Sequence, residues 1–382
     1  MNAAKLLLSI VLLIPLTGCW SRVEMDELTF VFGLFVDQGK QPGTVEIAIS
    51  TPLPNRLMSG QQAGSGGQHG NTYSMITGSG PTIPEALSNI QKDLTRQLSL
   101  GHIKVIVVSQ AYAKAGLSDL LEWVSREPTI PLGTYILASP DTAKKAAQIT
   151  PVYEQLPSEV LLKMAESGFM FTTTMKDVLM GIREKTGTPV NLLTPSIKPP
   201  LGEGGPEEGW RGFQGALLLQ GDQMRSVMEL ETSRALAWAA GGAKSPTYSV
   251  EWDEGKSRAS VVFLSRSSST KVKMTPQGPV FRIRLKGGAS VIFNTDFKRR
   301  QTSEVSSVIT DQLEQKLSKE LKQAIKLSQK SGCDVLRLGQ LLEWNHPAQW
   351  RKLKEKWEDY YRNDAQIEVS ADFHLVDFGS SK

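Results

Sequence analysis

The sequence predicts a mixed α/β (α+β) protein of more than one domain, with sheets of mixed strand direction and helices packed on them. Between Thr72 and Ile149, short apolar runs such as IKVIVVS (Ile103–Ser109) alternate with helix-like stretches. That alternation is expected of strands, some of them parallel, under covering helices. After residue 210 the pattern changes to strand candidates in succession followed by one long amphipathic helix. The chain beyond Cys19, about 360 residues, is longer than one hydrophobic core usually serves. With 40% hydrophobic and 21% charged residues, it has enough apolar surface to fold by burial.

The elements follow in order. ELTFVFGLFVD (27–37) and TVEIAIS (44–50) are rich in β-branched and aromatic residues and flank a Gly/Pro turn, so they read as neighbouring strands. Residues 58–71, MSGQQAGSGGQHGN, have almost nothing to bury and read as a loop. Next come TYSMITGSG, a helix opened by Thr82 and Pro84, the IKVIVVS strand, a helix over Ala111–Arg126, the strand TYILAS and a helix from Asp141. Helical stretches near Pro157–Ser167 and Met175–Lys185 lead into a Pro/Gly-rich segment. Residues 194–209 are therefore expected to link an N-terminal domain, 19–193, to a C-terminal domain, 210–382.

In the second half, GFQGALLLQGDQMRSVMEL gives two short strands about a Gly-Asp turn, then a helix over Glu231–Ala240. Strand candidates lie near Ala259–Arg266, Lys271–Thr275 and Val280–Lys286. Val305, Ile309, Leu313, Leu317, Leu321 and Ile325 recur every four residues. Such a stripe drifts around a helix of 3.6 residues per turn and suits one lying across a sheet. Pro347 opens a helix whose Trp350, Leu353, Trp357 and Tyr360 share a face, and Gln366–Val376 alternates apolar and polar residues as a half-buried strand.

The N-terminus has a different logic. Lys5 precedes the uncharged run LLLSIVLLIPL (6–16), and charges resume at Arg22. That run is too short to span a bilayer, which takes about 20 apolar residues, and it has the form of a signal peptide over residues 1–18. Leu16-Thr17-Gly18-Cys19 resembles a bacterial lipobox, in which the cysteine thiol receives a diacylglycerol and becomes the new N-terminus. Two acyl chains would anchor durably where one binds only marginally. With Cys19 lipidated, Cys333 is the one remaining thiol, so no intramolecular disulfide is available.

Motifs for chemistry are lacking. Histidines stand at 69, 102, 346 and 374, with no helical metal pair and no CxxC, so no metal site or cofactor is expected. There is no GxxxxGK[ST] and no GxSxG. Ser268-Ser269-Thr270-Lys271 matches SxxK, but reads as a Ser-rich turn between strands and lacks its SDN and KTG companions. The 43 basic and 39 acidic residues are spread along the chain, without the basic patch and interleaved aromatics of a nucleic-acid surface. Gly101-His102-Ile103-Lys104, at the start of the most apolar strand, admits two readings. In one, His102 is hydrogen-bonded at the strand entrance while Lys104 reaches solvent over a buried stem; in the other, both contact a partner or ligand.

Five stretches follow one another along the chain: GCWSRVEMDEL (18–28), GSGPTIPEAL (78–87), LGHIKVIVVSQAYAKAGLSDLLEWVSRE (100–127), GFQGALLLQGDQMRSVMELETSRAL (212–236) and DVLRLGQLLEWNHPAQWRKLKEKW (334–357). In this order they resemble the Ger(x)C family, the lipoprotein C subunits of spore nutrient germinant receptors. The resemblance carries the family's lipidated cysteine onto Cys19. It carries the glycine-histidine-hydrophobic-lysine motif onto Gly101, His102 and Lys104, and the aspartate-glycine-tryptophan-tryptophan pattern onto Asp334, Gly339, Trp350 and Trp357. The chain departs from the family at Ser21, where an acidic residue is common, and in a longer Gly-rich loop at 58–71. The resemblance implies a non-enzymatic subunit on the extracytoplasmic face of the spore inner membrane, held by diacylglycerol on Cys19. Its implied partners are the integral membrane A and B subunits of the receptor, with no small-molecule ligand for the isolated chain and no nucleic acid. A solute-binding lipoprotein of a transporter would share the lipobox and the α/β lobes, and is the alternative.

Overall fold

The computed structural model describes residues 24–54, 72–151, 153–198, 208–242, 247–296 and 302–377. The signal segment 1–18, Cys19 and residues 58–71 lie outside the described residues. The chain opens with strands β1 (Leu28–Phe30), β2 (Gly33–Gln38), β3 (Val45–Pro52) and β4 (Tyr73–Gly80). Helix α1 (Ile83–Lys92) starts as expected, with the Thr82 hydroxyl accepting from the Glu85 amide and a proline in the first turn. Strand β5 (Gln97–Ser99) pairs in parallel with β1 as a separate two-stranded ribbon. Strand β6 (Val105–Ser109) is buried throughout.

The helix expected over 111–126 is two, α2 (Gln110–Ala115) and α3 (Ser118–Arg126). Gly116 separates them at φ +130°, where a side chain would be strained, and the next amide, of Leu117, donates to Asp222 O instead of continuing the helix. Strand β7 (Tyr135–Ser139) and helices α4 (Ala143–Ala146), α5 (Pro157–Glu166) and α6 (Met175–Glu184) follow. Then come β8 (Gly187–Lys198), β9 (Glu208–Gln220) and β10 (Gln223–Glu229).

These strands build an eight-stranded sheet of order β10-β9-β8-β7-β6-β2-β3-β4. Its four central strands, β8, β7, β6 and β2, run parallel, and antiparallel hairpins extend it at both edges. Both faces are covered, which is why β6 and β7 in the middle read as nearly unbroken apolar runs. One face packs Leu34, Ile106 and Ile136 against α1, α3 and α6, and the other packs Phe35, Val107 and Leu137 against α4 and α5.

The expected linker is corrected here. Strands β8 and β9 pair antiparallel from Gly187↔Gln220 out to Lys198↔Glu208, so 194–198 and 208–209 are strand, and 210–229 completes the first sheet. Pro/Gly content marks a connection between elements whether it joins domains or the arms of a hairpin.

Helix α7 (Leu230–Ala239) leads to the second sheet, made of β11 (Thr247–Trp252), β12 (Ser257–Thr275) and β13 (Gly278–Asn294), and closed by the C-terminal strand in the order β11-β12-β13-β14. The serine run expected as a turn is the middle of β12. It contains no Gly or Pro, and its groups are partnered: Ser268 Oγ donates to Ala239 O at 3.0 Å, and Ser267 O accepts from Trp238 Nε1 at 3.1 Å. Residues three apart on a strand point to opposite faces, so Ser268 and Lys271 do not meet as an SxxK pair.

Helix α8 (Thr302–Lys330) lies across this sheet and buries all six residues of its four-residue stripe. The first and second sheets share a core in which Ala216, Leu218 and Met228 meet Trp238, Ile309 and Leu313. Helices α9 (Leu338–Asn345), α10 (Pro347–Leu353) and α11 (Trp357–Asn363) and strand β14 (Gln366–Asp377) end the described chain. The helix expected to run through from Pro347 is interrupted at Lys354–Lys356 by a 3₁₀ turn, which shifts the phase so that Tyr361, and not Tyr360, is buried.

Candidate functional site

The four C-terminal motif residues converge on one spot. After α8 the chain turns at Gly332 (φ +71°), buries Asp334 and starts α9 from Arg337, itself in the left-handed region. The Asp334 carboxylate accepts the otherwise orphaned amides of Leu338 and Gly339, each at 2.9 Å, and the Trp357 indole Nε1–H at 3.1 Å. A carboxylate at a helix N-terminus also meets the positive end of the helix dipole. Burial pushes the Asp334 carboxyl above its ordinary value, against the opposing pull of those three donors and of Arg337.

Gly339 is dictated by space. A Cβ there would stand 2.7 Å from Trp357 Nε1 and 3.0 Å from Trp350 Cη2, both on rigid rings. Trp350 meets Trp357 edge-on with ring centroids 5.3 Å apart, and Trp357 meets Phe281 of β13 at 6.2 Å. Asp334, Gly339, Trp350 and Trp357 therefore form a clasp that docks the C-terminal helices on the second sheet.

The other motif lies at the surface. Residues 101–104 are the turn before β6, not its first residues, because the backbone of Lys104 alone joins the neighbouring strands: its amide donates to Phe32 O at 2.9 Å and its carbonyl accepts from Tyr135 N at 3.2 Å. Ile103 is the buried member. His102 is exposed, with its ring edge-on to Phe30 at 4.7 Å and near Phe32 at 6.2 Å. A Cβ on Gly101 would come no closer than 3.5 Å to Thr129 O, so packing does not demand glycine there. Phe30 also lines a cleft of about 440 Å³ with Met25, Leu28, Leu53 and Arg96, which places the His102 turn beside the first described residues of the chain.

Some residues that position these parts gave no signal in the sequence. Asp37, at the end of β2, is buried and accepts the first amides of α4, from Ala143 at 2.7 Å and Lys144 at 3.1 Å. Arg234 of α7 lies over the Tyr248 ring of β11 at 4.6 Å and near Phe169, in the connection between α5 and α6, at 5.5 Å. Cys333 is buried beside Gly187, and burial pushes its thiol up to about 11, which leaves it unreactive at neutral pH. Among the described residues no three His, Cys, Asp or Glu side chains are placed to hold a metal ion, and no helix is long and apolar enough to cross a membrane.

Fold and motifs together define a mixed α/β protein of two large sheets and a small two-stranded ribbon, in which Asp334, Gly339, Trp350 and Trp357 clasp the C-terminal helices and His102 stands on an exposed turn. Residues 21–198 match the family described as spore germination protein N-terminal domain, and residues 214–379 match spore germination B3/GerAC like, C-terminal. Spore germination protein KC of Bacillus subtilis (strain 168) is 21% identical over 393 residues, covering 97% of this chain and 95% of its own. Spore germination protein B3 of the same organism is 22% identical over 397 residues, covering 99% of each chain. The crystal structure of the GerBC protein shares the fold, with a TM-score of 0.57 at 15% identity over 93% of this chain and 100% of that one. The chain belongs to the Ger(x)C family, the germinant receptor C subunits.

Proposed function

We propose that this chain is the lipid-anchored, extracytoplasmic C subunit of a spore nutrient germinant receptor. It is held on the membrane surface by diacylglycerol on Cys19 and acts through contact with two integral membrane subunits. The observation that carries the reading is the placement of the family match. It begins at Ser21, two residues after the lipobox cysteine, and runs with one short interruption to residue 379.

Geometry adds a consequence. Met25 is six residues from Cys19, and an extended chain spans at most about 3.3–3.6 Å per residue, so the cleft it lines lies within ~20 Å of the acyl chains. The exposed His102, beside that cleft through Phe30, is on this reading within reach of membrane subunits. Confinement to the membrane surface raises the effective concentration of such partners, so a modest interface suffices. The test compares nutrient-triggered germination in spores carrying the native chain, no chain, or Cys19→Ala. Loss of response in the second and a weakened response in the third are expected; a normal response without the chain contradicts the reading.

A further inference from the structure

Strand β14 ends the second sheet, and beside it the long helix α8 leaves a groove of about 630 Å³. The odd-numbered residues of β14 turn their side chains inward toward α8 and share its core, as Phe373 does from a buried position and Val369 and Ala371 from half-buried ones. Their backbone groups follow the same alternation. The Phe373 amide leaves the sheet and donates to Glu314 Oε1 of α8 at 2.8 Å, so the amides and carbonyls of Ala371 and Val369, two and four residues away, face the same open edge.

The groove has a sign as well as a shape. Lys319, Lys322 and Lys326 line it from one stripe of α8, all three are exposed, and among the described residues none is held in an ion pair. Among the described residues Glu314 is the only acid on its walls, and that carboxylate already sits on an edge amide. An open row of backbone donors and acceptors beside a helix is what an extended peptide needs to add a strand, with main-chain bonds supplying affinity and the helix supplying selectivity.

We propose that the β14 edge and α8 form a docking groove for an extended, acidic segment of a protein partner, which adds as a fifth strand to the second sheet with its carboxylates on Lys319, Lys322 and Lys326. This rests on the reading of the chain as a subunit that works by contact. It names a surface on the second sheet, distinct from the His102 turn.

The test uses the full chain in mild detergent and a fluorescein-labelled peptide of alternating valine and glutamate, with the valine-lysine peptide as control, read by anisotropy. Saturable binding of the acidic peptide at least tenfold tighter than the basic one is expected. Ala371→Pro, which removes an outward amide at a position where an edge strand tolerates proline, should weaken it at least tenfold with the melting temperature unchanged. The triple variant Lys319→Glu/Lys322→Glu/Lys326→Glu should do the same, and it decides the matter should the proline variant not fold. Absence of saturable binding overturns the proposal. So does binding lost in the lysine variant but untouched by a folded Ala371→Pro, which would make the surface one of charge alone. Binding of phosphatidylglycerol vesicles, and not of peptide, through the same lysines overturns it in favour of a lipid surface. The peptide assay needs no spores, so its failure is distinguishable from failure of the receptor reading.

Discussion

Trp357 donates its indole proton to Asp334 Oδ2 at 3.1 Å, joining the start of the C-terminal helices to their last member across 23 residues. Around that bond the carboxylate caps α9 and the indole covers Gly339. Asp334→Ala should leave three buried donors without an acceptor. At about 1–3 kcal/mol for each stranded donor, partly relieved by water, a loss of roughly 3–5 kcal/mol is expected in urea unfolding. A loss below about 1 kcal/mol would mean that the clasp is not what holds these helices.

The same carboxyl gives a pH signature. Its folded-state value is raised by burial above the ordinary 3.8, so the folded state holds this proton more tightly than the unfolded chain does. Its contribution is full below the unfolded value and declines as pH rises through the folded one. Asp334→Asn lacks that dependence, so the stability gap between native and variant should be widest near pH 4 and narrow toward neutrality. A gap that widens with pH would show that the three donors outweigh burial.

The two tryptophans should differ. Trp357 is 6% exposed and bonded, and Trp357→Ala should cost about 3–5 kcal/mol. Trp350 is only half-buried, so Trp350→Ala should cost clearly less. Equal losses in thermal or chemical unfolding would contradict the burial seen here.

Gly339→Ala adds one methyl against two rigid rings, and overpacking of this kind costs about 1–3 kcal/mol. Gly101→Ala has room at its site and should change stability by less than about 0.5 kcal/mol. The pair separates a glycine kept for packing from one that packing does not require, and comparable losses in the two variants would contradict the geometry.

His102→Ala removes one edge-on aromatic contact, worth about 0.5–1.5 kcal/mol, and should leave the protein folded while weakening the nutrient response. Unchanged germination by folded His102→Ala and Lys104→Ala proteins would remove this turn from the proposed contact surface.

The parts of the fold that depend on period were readable in the sequence. The four-residue stripe of α8, the alternation of β14 and the Thr82 cap stand where the residues put them. The misses arise where local composition is shared by different structures. Pro and Gly at 194–209 look the same in a linker and between hairpin arms, and the serines of β12 look like a turn until Ser268 and Ser267 find partners on α7. The family resemblance named Asp334, Gly339, Trp350 and Trp357 together, but only distance shows that they touch. Asp37 reaches Ala143 and Arg234 reaches Phe169 across long separations, and no window of sequence contains both a residue and that partner.

The tether is the claim on which the rest depends, and the mass of one tryptic fragment tests it. In membrane-extracted mature protein, cleavage after Arg22 should release the four-residue peptide Cys19-Trp20-Ser21-Arg22 with diacylglycerol on its sulfur. A free Cys19 thiol, or a fragment that still continues upstream through Gly18 and Thr17, would contradict the account.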